Sequence, residues 1–431
     1  MSAPSHELRP FINLPRGLAP LGFRNFALYW LGLATSNSGR WVELIGVVWL
    51  VSELTDSAAL LGLIGLFRGI PAIVLGPIAG VVADRVDQRR LLVVTQALAL
   101  VASLGLGLVV AAGLVQLWHV YLQVAVQAAV EAFDAAARQA MFPRLVPRSY
   151  RAEAVTLTAM AGRTARFIGP SVGGTAIATL GVAVPFFLNA ATFLALMAAI
   201  VAIRGVAPRT AVAGSSIRSE LTAGARYIMD APVVGGLLKM EAVFGLFQMN
   251  AVMITIIGRQ VLDVGPEGLG GLLSAPGFGA LAGLGYLLIA GHTMRQGRFI
   301  VICTFAYAAA LILFAVSREY VMSLAALAII GLFDVLVSVT RQSVIYLTTP
   351  GRMRGRVLGT TRMVTGGLGK FAETQSGFLS GFVGGPMAVV AAAAVFAVSA
   401  GTSARTNRAL WRFSRDQAPW EPPAPPEIRP I

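Results

Sequence analysis

The chain has 431 residues, of which 56% are hydrophobic and 13% charged, and its mean hydropathy is +0.74. Soluble domains carry about 25% charged residues, so this composition is too poor in polar side chains to cover a surface that faces water. The formal net charge is +14, but the arginines fall in short stretches between long apolar runs, which favours an anionic lipid surface over nucleic acid as the partner.

Twelve apolar runs follow one another along the chain, each close to the roughly 20 residues that an α-helix needs to cross a bilayer. The first begins near Phe26 and is too long for the core of a cleavable signal peptide. The predicted helices cover residues 26–51, 58–82, 91–113, 117–141, 152–179 and 183–203, then 230–257, 268–290, 299–316, 320–345, 355–381 and 385–403.

A polar stretch separates the first six helices from the last six. The pattern predicts an all-α membrane protein with twelve transmembrane helices in two pseudo-symmetric six-helix bundles. The expected divisions are a cytoplasmic N-terminal segment at 1–25, an N-terminal bundle at 26–203, a cytoplasmic linker at 204–229, a C-terminal bundle at 230–403 and a cytoplasmic tail at 404–431.

Positive charge falls in every second loop. The loops after helices 2, 4, 6, 8 and 10 and both tails are rich in arginine, whereas the alternate loops carry only Arg259 and Arg318. Cytoplasmic loops carry the excess of Lys and Arg, so both termini are predicted to be cytoplasmic, in a multi-pass protein of the inner or plasma membrane.

The two halves share a pattern in the segments that follow helices 4 and 10. Each segment has an Arg-Gln pair, then a proline, then an arginine, and one offset of 203 residues relates them. This repetition indicates duplicated halves. The matching positions are Arg138, Gln139, Pro147 and Arg151 in the first half and Arg341, Gln342, Pro350 and Arg354 in the second.

The most specific motif lies between helices 2 and 3. Residues 80–90 resemble the G-x-x-x-D-R/K-x-G-R-R/K motif of the major facilitator superfamily, with Asp87 in place of the second glycine, and 291–298 is a degenerate copy. Glycine allows close helix approach, and an aspartate can cap a helix or pair with arginine, so this loop is predicted to gate the cytoplasmic side. The alternative is a basic loop that sets only topology. The gating residues are Gly80, Asp84, Arg85, Arg89 and Arg90.

Helix 5 carries a second motif. Residues 169–174 resemble the G-P-x-x-G-G core found in helix 5 of proton-driven antiporters and exporters. Proline kinks a helix, and glycines let a neighbouring helix approach. The resemblance implies a hinge at Gly169, Pro170, Gly173 and Gly174, and ordinary packing of small residues is the alternative.

Further segments are similar to the branch of the superfamily that contains enterobactin exporters and macrolide efflux proteins. The resemblance extends over residues 20–405 and includes Arg24-Asn25-Phe26. It implies the major facilitator fold and the efflux of small molecules. That branch often has an acid directly after the glycine of helix 1, where this chain has Arg40, and Glu43 follows one turn later.

Ionisable residues inside membrane helices are costly and usually functional. Glu131 and Asp134, spaced i, i+3 on helix 4, are the first candidates to exchange a proton, and Glu43 is the third. A carboxylate in a low dielectric takes up a proton readily, as a carrier must. The alternative is structural ion pairing, for example between Arg40 and Glu43.

Polar, aromatic and charged residues near the helix centres predict a central aqueous cavity. The N-terminal half has four mid-membrane arginines against three acids, which suits an anionic or zwitterionic amphiphile such as a siderophore-like or drug-like molecule. The candidates for this cavity are Asn37, Arg40, Trp41, Arg68, Arg163, Arg166, Glu241, Gln248, Asn250 and Asp334.

Neither a catalytic constellation nor a complete nucleotide-binding loop occurs, and three scattered histidines argue against a metal site. We therefore expect no enzyme and no cofactor. The sequence predicts a monomeric, proton-coupled exporter of a small amphiphilic molecule, working as an antiporter by alternating access in the lipid bilayer, without a nucleic-acid partner. Two alternatives stay open, a lipid or lysolipid flippase on the same fold and a receptor or scaffold that transports nothing.

Overall fold

The computed structural model describes residues 11–12, 14–203, 231–290, 295–407 and 410–411. Within these ranges it does not describe the side chains of 232, 290, 351, 352, 354–356, 358–360 and 362–367. The predicted linker at 204–229, the first ten residues, the start of the degenerate loop at 291–294 and most of the predicted tail lie outside the described residues.

The described chain contains helices and connecting turns, and none of its residues lies in a strand. In the N-terminal half α1 to α6 are Arg24–Leu54, Ala58–Arg85, Gln88–Ala111, Leu117–Met141, Arg151–Leu180 and Val184–Ala202. In the C-terminal half α7a is Pro232–Phe247, α7b is Ala251–Gln260, and α8 to α12 are Pro266–Ala290, Gln296–Val316, Tyr320–Thr348, Gly351–Val383 and Gly385–Thr406.

Local chemistry explains where the helices begin and end. The side chains of Ser57 and Asp87 accept backbone N–H bonds from the first turns of α2 and α3, as N-cap residues do. Gly181 and Gly384 have φ values of +98° and +83°, a backbone conformation that favours glycine, and they end α5 and α11. The apolar runs thus end at residues that satisfy the terminal backbone groups.

Eight spans are long and apolar enough to cross a membrane, with α7a and α7b counted as one span within the described chain. The remaining helices, α1, α4, α5 and α11, carry more charge, and each contributes residues to the central cavity described below. A membrane helix tolerates charge when it faces the interior of the bundle.

Predicted helix 7 at 230–257 was wrong as a continuous helix, because residues 248–250 interrupt it. The Asn250 side chain caps α7b by accepting a bond from the Met253 N–H. The Met249 N–H donates to the Tyr307 hydroxyl at 3.0 Å. Irregular backbone is tolerated inside a membrane protein when other groups satisfy its hydrogen bonds and it lines a cavity, and here residues 248–250 do line the cavity.

The two halves pack in the same way. In the first half α1 contacts α5 and α6, α2 contacts α4, and α3 contacts α4 and α6. In the second half α7a contacts α11 and α12, α8 contacts α10, and α9 contacts α10 and α12. Adding six to each helix number therefore converts one set of contacts into the other, which is the pseudo-two-fold relation of two six-helix bundles.

Two seams join the halves, one between α2 and α11 and the other between α5 and α8. A Cβ atom added to Gly62 would lie 2.8 Å from the Cα of Gly377, and one added to Gly174 would lie 3.0 Å from the Cα of Gly270. These contacts lie away from the arginine-rich loops at 85–90 and 142–151, which we call the basic end. Near the basic end of α2, a Cβ on Gly76 or Gly80 would have no atom within 4 Å. The described contacts between the halves are thus concentrated away from the basic end.

Candidate functional site

A cavity of about 550 Å³ lies between the two halves. Its volume falls within the range of roughly 300–1,000 Å³ that is common for small-molecule sites. Of the ten residues predicted for a cavity, eight line it, and Arg163 and Glu241 do not. The eight lining residues are Asn37, Arg40, Trp41, Arg68, Arg166, Gln248, Asn250 and Asp334.

A first group of charges, the α2–α11 cluster, consists of Arg40, Arg68, Glu131, Lys370 and Glu373. Arg68 of α2 pairs with Glu373 of α11 across the seam, with Nη1 and Oε1 2.8 Å apart. Arg40 lies 3.6 Å from Glu131, whose side chain is 48% exposed and lines the cavity. Lys370 interacts electrostatically with Glu131 and Glu373, but none of the described carboxylates lies within 4 Å of its ammonium.

A second group, the α5–α10 cluster, consists of Arg163, Arg166, Glu241, Asp334 and Arg341. Arg341 forms a buried ion pair with Glu241 behind the cavity wall. Asp334 lines the cavity and interacts electrostatically with the three arginines. The Arg166 guanidinium lies over a tryptophan ring of α1, with its Cζ 5.4 Å from the ring centroid. A cation at this distance is attracted by the face of the aromatic ring.

Glu43 is buried inside the N-terminal half, and all its described hydrogen-bond partners are neutral. Its Oε1 accepts bonds from the Ser103 hydroxyl at 2.7 Å and the Gln123 amide at 2.6 Å. Its Oε2 accepts a bond from the Asn189 amide. The ion pair with Arg40 considered above does not form, because Arg40 turns to Glu131. Glu43 also lines the cavity, so it is a buried acid next to the site.

Asp134 occupies a different environment from Glu131, although the two acids are three residues apart on α4. Asp134 is buried, pairs with Arg138 at 2.6 Å and accepts a bond from the Gln96 amide at 2.7 Å. It does not line the cavity. The spacing places both acids near one face of the helix. Glu131 lies on the part of that face that lines the cavity, and Asp134 lies on the part that packs into the interior of the half.

Six further amide or charged residues of the cavity wall lie outside the predicted set, namely Gln96, Gln123, Gln127, Arg138, Lys370 and Glu373. Helical spacing could have indicated Gln123 and Gln127, because they precede Glu131 by two turns and one turn on α4 and so share its face. Glu373 is an ionisable residue inside a predicted helix, but its partner on α2 is 305 residues away in the chain.

The loop between α2 and α3 is organised within its own half. Asp87, which replaces the usual glycine, caps α3 by accepting a bond from the Arg90 N–H at 2.9 Å. Arg89 donates to the carbonyls of Ile200 and Val201 at the end of α6. A Cβ on Gly80 would have no atom within 4 Å, so the described residues show no close helix approach there.

The motif in α5 serves two different interfaces. Gly169 and Gly173 pack against α1, where a Cβ on Gly173 would lie 2.9 Å from a backbone carbonyl oxygen. Gly174 and the carbonyl of Pro170 face Gly270 of α8 across the seam. Gly169 and Gly173 thus pack α5 against α1 within its half, and Gly174 allows α5 to meet α8 of the other half.

Comparison with known proteins extends these observations. The model of the transmembrane secretion effector family matches residues 16–428. The enterobactin exporter EntS of Shigella boydii is 26% identical over 73% of this chain and 76% of its own length. The uncharacterized MFS-type transporter YfiS of Bacillus subtilis is 25% identical, and the match spans 61% of each chain.

Solved structures show the same fold at low sequence identity. A POT family transporter in complex with 5-aminolevulinic acid has a TM-score of 0.70 at 12% identity, over 94% of this chain and 98% of its own. A bacterial homologue of the human lysosomal transporter Spinster, solved in an inward-facing and unoccupied conformation, has a TM-score of 0.64 at 14% identity, over 94% and 100%.

These relatives and structural neighbours are membrane transporters, as the two packed bundles and the cavity between them would suggest. The chain is therefore a multi-pass membrane transporter of the major facilitator fold and not an enzyme. By its match over nearly the whole length, it belongs to the transmembrane secretion effector family of the major facilitator superfamily.

Proposed function

We propose that this transporter exports a small amphiphilic molecule from the cytoplasm in exchange for protons, by alternating access. The observation that carries the proposal is the charged cavity between two halves whose described seams lie away from the basic end. Such a site near the middle of two rocking bundles is what alternating access requires.

The export direction follows the relatives that are named enterobactin exporters. The arginine-rich loops lie at the basic end, and cytoplasmic loops carry the excess of positive charge. The proposed orientation therefore has the basic end and both termini on the cytoplasmic side of the inner membrane. Because the described seams lie away from the basic end, the cavity would receive its substrate from the cytoplasm.

Among the three acids considered for proton exchange, we favour Glu43. Protonating Asp134 would leave the buried Arg138 without its carboxylate, and an unpaired buried charge is costly. Glu131 is half-exposed, but several cations interact with its carboxylate and favour the ion, namely Lys370, Arg40, Arg68 and Arg138. Protonating Glu43 leaves behind only neutral donors. Arg40 and Arg68 are the charged groups that interact with Glu43 electrostatically, and each has another carboxylate as its direct partner.

Transport into everted membrane vesicles tests this proposal. The first solute to measure is enterobactin, because several relatives are named enterobactin exporters. Uptake into these vesicles corresponds to export from the cell, because their cytoplasmic face points outward. This uptake should appear when the vesicle interior is made acidic. The Glu43→Gln variant should lose accumulation driven by the proton gradient but keep solute exchange without a gradient, and Glu131→Gln should keep both.

Two outcomes would count against the proposal. Gradient-driven accumulation that survives Glu43→Gln would remove Glu43 as the proton carrier. Movement of labelled lysolipid across proteoliposomes, without flux of any soluble molecule, would favour the flippase alternative. As a folding control, each variant should elute from size-exclusion chromatography as the parent protein does.

A further inference from the structure

The two positive groups that face the cavity from α5 and α11 occupy nearly equivalent places in the two halves. The offset of 203 residues that relates Pro147 to Pro350 also relates Arg166 to residue 369, the neighbour of Lys370. One residue of helix rises by about 1.5 Å, so the two cations lie at almost the same depth in the membrane. Both line the same cavity.

The two cations also lie on different sides of that cavity. The helix of Arg166, α5, forms one seam with α8, and the helix of Lys370, α11, forms the other seam with α2. Because the pseudo-two-fold relation exchanges α5 with α11, the cavity between the seams has one cation on each side.

Both cations lack a direct carboxylate partner among the described residues. In the α2–α11 cluster Arg68 and Arg40 engage the carboxylates, which leaves Lys370 without an ion pair within 4 Å. In the α5–α10 cluster Arg341 engages Glu241, and Arg166 contacts the ring of Trp41. Each cation instead shares carboxylates at longer range: Lys370 interacts with Glu131 and Glu373. Arg166 shares Asp334 with two other arginines. Because none of the described carboxylates is in direct contact with either cation, both keep donors for an anionic ligand.

The cavity wall also carries apolar side chains beside its charged and amide groups. Leu44, Val47, Ile254, Leu273 and Ile330 line the cavity, together with the aromatic rings of Trp41 and Tyr307. Apolar side chains of this kind favour a hydrocarbon or aromatic body, because burying such a body removes apolar surface from water.

From this arrangement we infer that the transported molecule carries two separate anionic groups on an apolar or aromatic body, one bound by Arg166 and the other by Lys370. The inference rests on the proposed transport function and adds the charge pattern of the substrate. A ligand of this type contacts both halves at once, whereas a molecule with one anionic group satisfies only one of the two cations.

Binding of simple probes to the purified full-length protein tests the inference. Equilibrium dialysis should compare dodecanedioate, dodecanoate and dodecanediamine, which share one chain and differ in their charged ends. The dicarboxylate should bind about tenfold or more tightly than the monocarboxylate, as expected for one additional charge-assisted hydrogen bond. The diamine should bind most weakly.

Single substitutions locate the two subsites. Arg166→Gln and Lys370→Gln should each lower the affinity for dodecanedioate to that for dodecanoate, and Lys370→Arg should keep the preference. Arg259→Gln is the matched control, because its guanidinium lies over Trp49 and outside the cavity. The thermal midpoint of each variant without ligand shows whether it is folded.

Equal affinity for the two acids, or a preference that survives both Gln substitutions, would overturn the inference. Tighter binding of the diamine would do the same.

Vesicle transport separates this inference from the proposed function. Export of a neutral or cationic solute without dicarboxylate binding would refute the inference and leave transport standing, whereas dicarboxylate binding without flux of any solute would refute transport.

Discussion

At the scale of single residues, the two acids of α4 show why burial decides the role of a charge. Glu131 is half-exposed at the cavity and lies 3.6 Å from its arginine, while Asp134 is enclosed with Arg138 at 2.6 Å. An exposed pair contributes little to stability, whereas breaking a buried pair strands a charge in a low dielectric. The two carboxylates should therefore differ in what their removal does to the fold.

We predict that Asp134→Asn lowers the free energy of unfolding by about 3–5 kcal/mol, because Arg138 then stays buried without its counter-ion. Glu131→Gln should change it far less. Thermal unfolding in detergent measures both variants. The double variant Asp134→Asn, Arg138→Met should recover most of the loss, since it removes both charges. If Asp134→Asn were as stable as the parent protein, the pair with Arg138 would contribute nothing to folding.

Which residues face the cavity was predictable only in part. Hydropathy gives the depth of a residue along a helix, so Arg68 and Asp334 could be placed near the membrane centre from the sequence. Depth does not define the side of the helix on which a residue lies, and for this reason Arg163 and Glu241 were selected although they do not line the cavity. The pairing of Arg68 with Glu373 depends on how the two halves meet, which the sequence does not encode locally.

At the scale of helices, the seams are built from glycine where backbones touch. Gly62 of α2 faces Gly377 of α11 across the halves, whereas Gly173 of α5 faces α1 of its own half. Small residues at such points allow close contact without a hydrophobic driving force in lipid. The same residue type therefore lets the two halves meet in one place and packs two helices of one half in the other.

A valine at each glycine should separate these effects. Gly62→Val should push α2 from α11 and open the end opposite the basic end, while Gly173→Val should lower stability without shifting the conformational equilibrium. Spin labels report the opening when attached through Asp56→Cys and Gln260→Cys, whose parent residues meet across the halves at 3.4 Å, in a Cys303→Ser background.

Gly105→Val is the control for that experiment, because Gly105 is exposed on α3 and a Cβ there would have no neighbour within 4 Å. It should change neither the label distance nor the thermal midpoint. If Gly62→Val left the distance between the labels unchanged, the α2–α11 seam would not control that end of the molecule.

The extents of the helices were largely predictable, because a span needs a run of about 20 apolar residues and the loops between runs are polar. The interruption of helix 7 was not predictable from the sequence. Residues 248–250 form a short segment within an apolar stretch. The Met249 N–H donates to Tyr307 of α9, and the Asn250 side-chain amide donates to the Ala372 carbonyl and the Ser376 hydroxyl of α11. No local pattern in the sequence reports partners so far along the chain.

At the scale of the whole molecule, the alternation of basic and neutral loops predicts which end faces the cytoplasm. Single cysteines test this in a Cys303→Ser background. Asp56→Cys lies exposed between α1 and α2, and Ser149→Cys lies exposed between α4 and α5 at the basic end. A maleimide that cannot cross membranes should label the first in intact cells and the second only after permeabilisation. The reverse pattern would show that the basic end does not face the cytoplasm.

The interruption of the seventh span also has a consequence for how the chain is made. At about 1.5 Å per residue, the sixteen residues of α7a extend about 24 Å and the ten of α7b about 15 Å, so neither crosses a hydrocarbon core of about 30 Å alone. The groups that satisfy the interruption are 58 to 126 residues further along the chain. When the ribosome delivers this segment to the membrane, those partners have not yet been synthesised. The span must therefore be inserted first as a single unbroken stretch, and it takes its final shape late in biogenesis, after α9 and α11 have joined it.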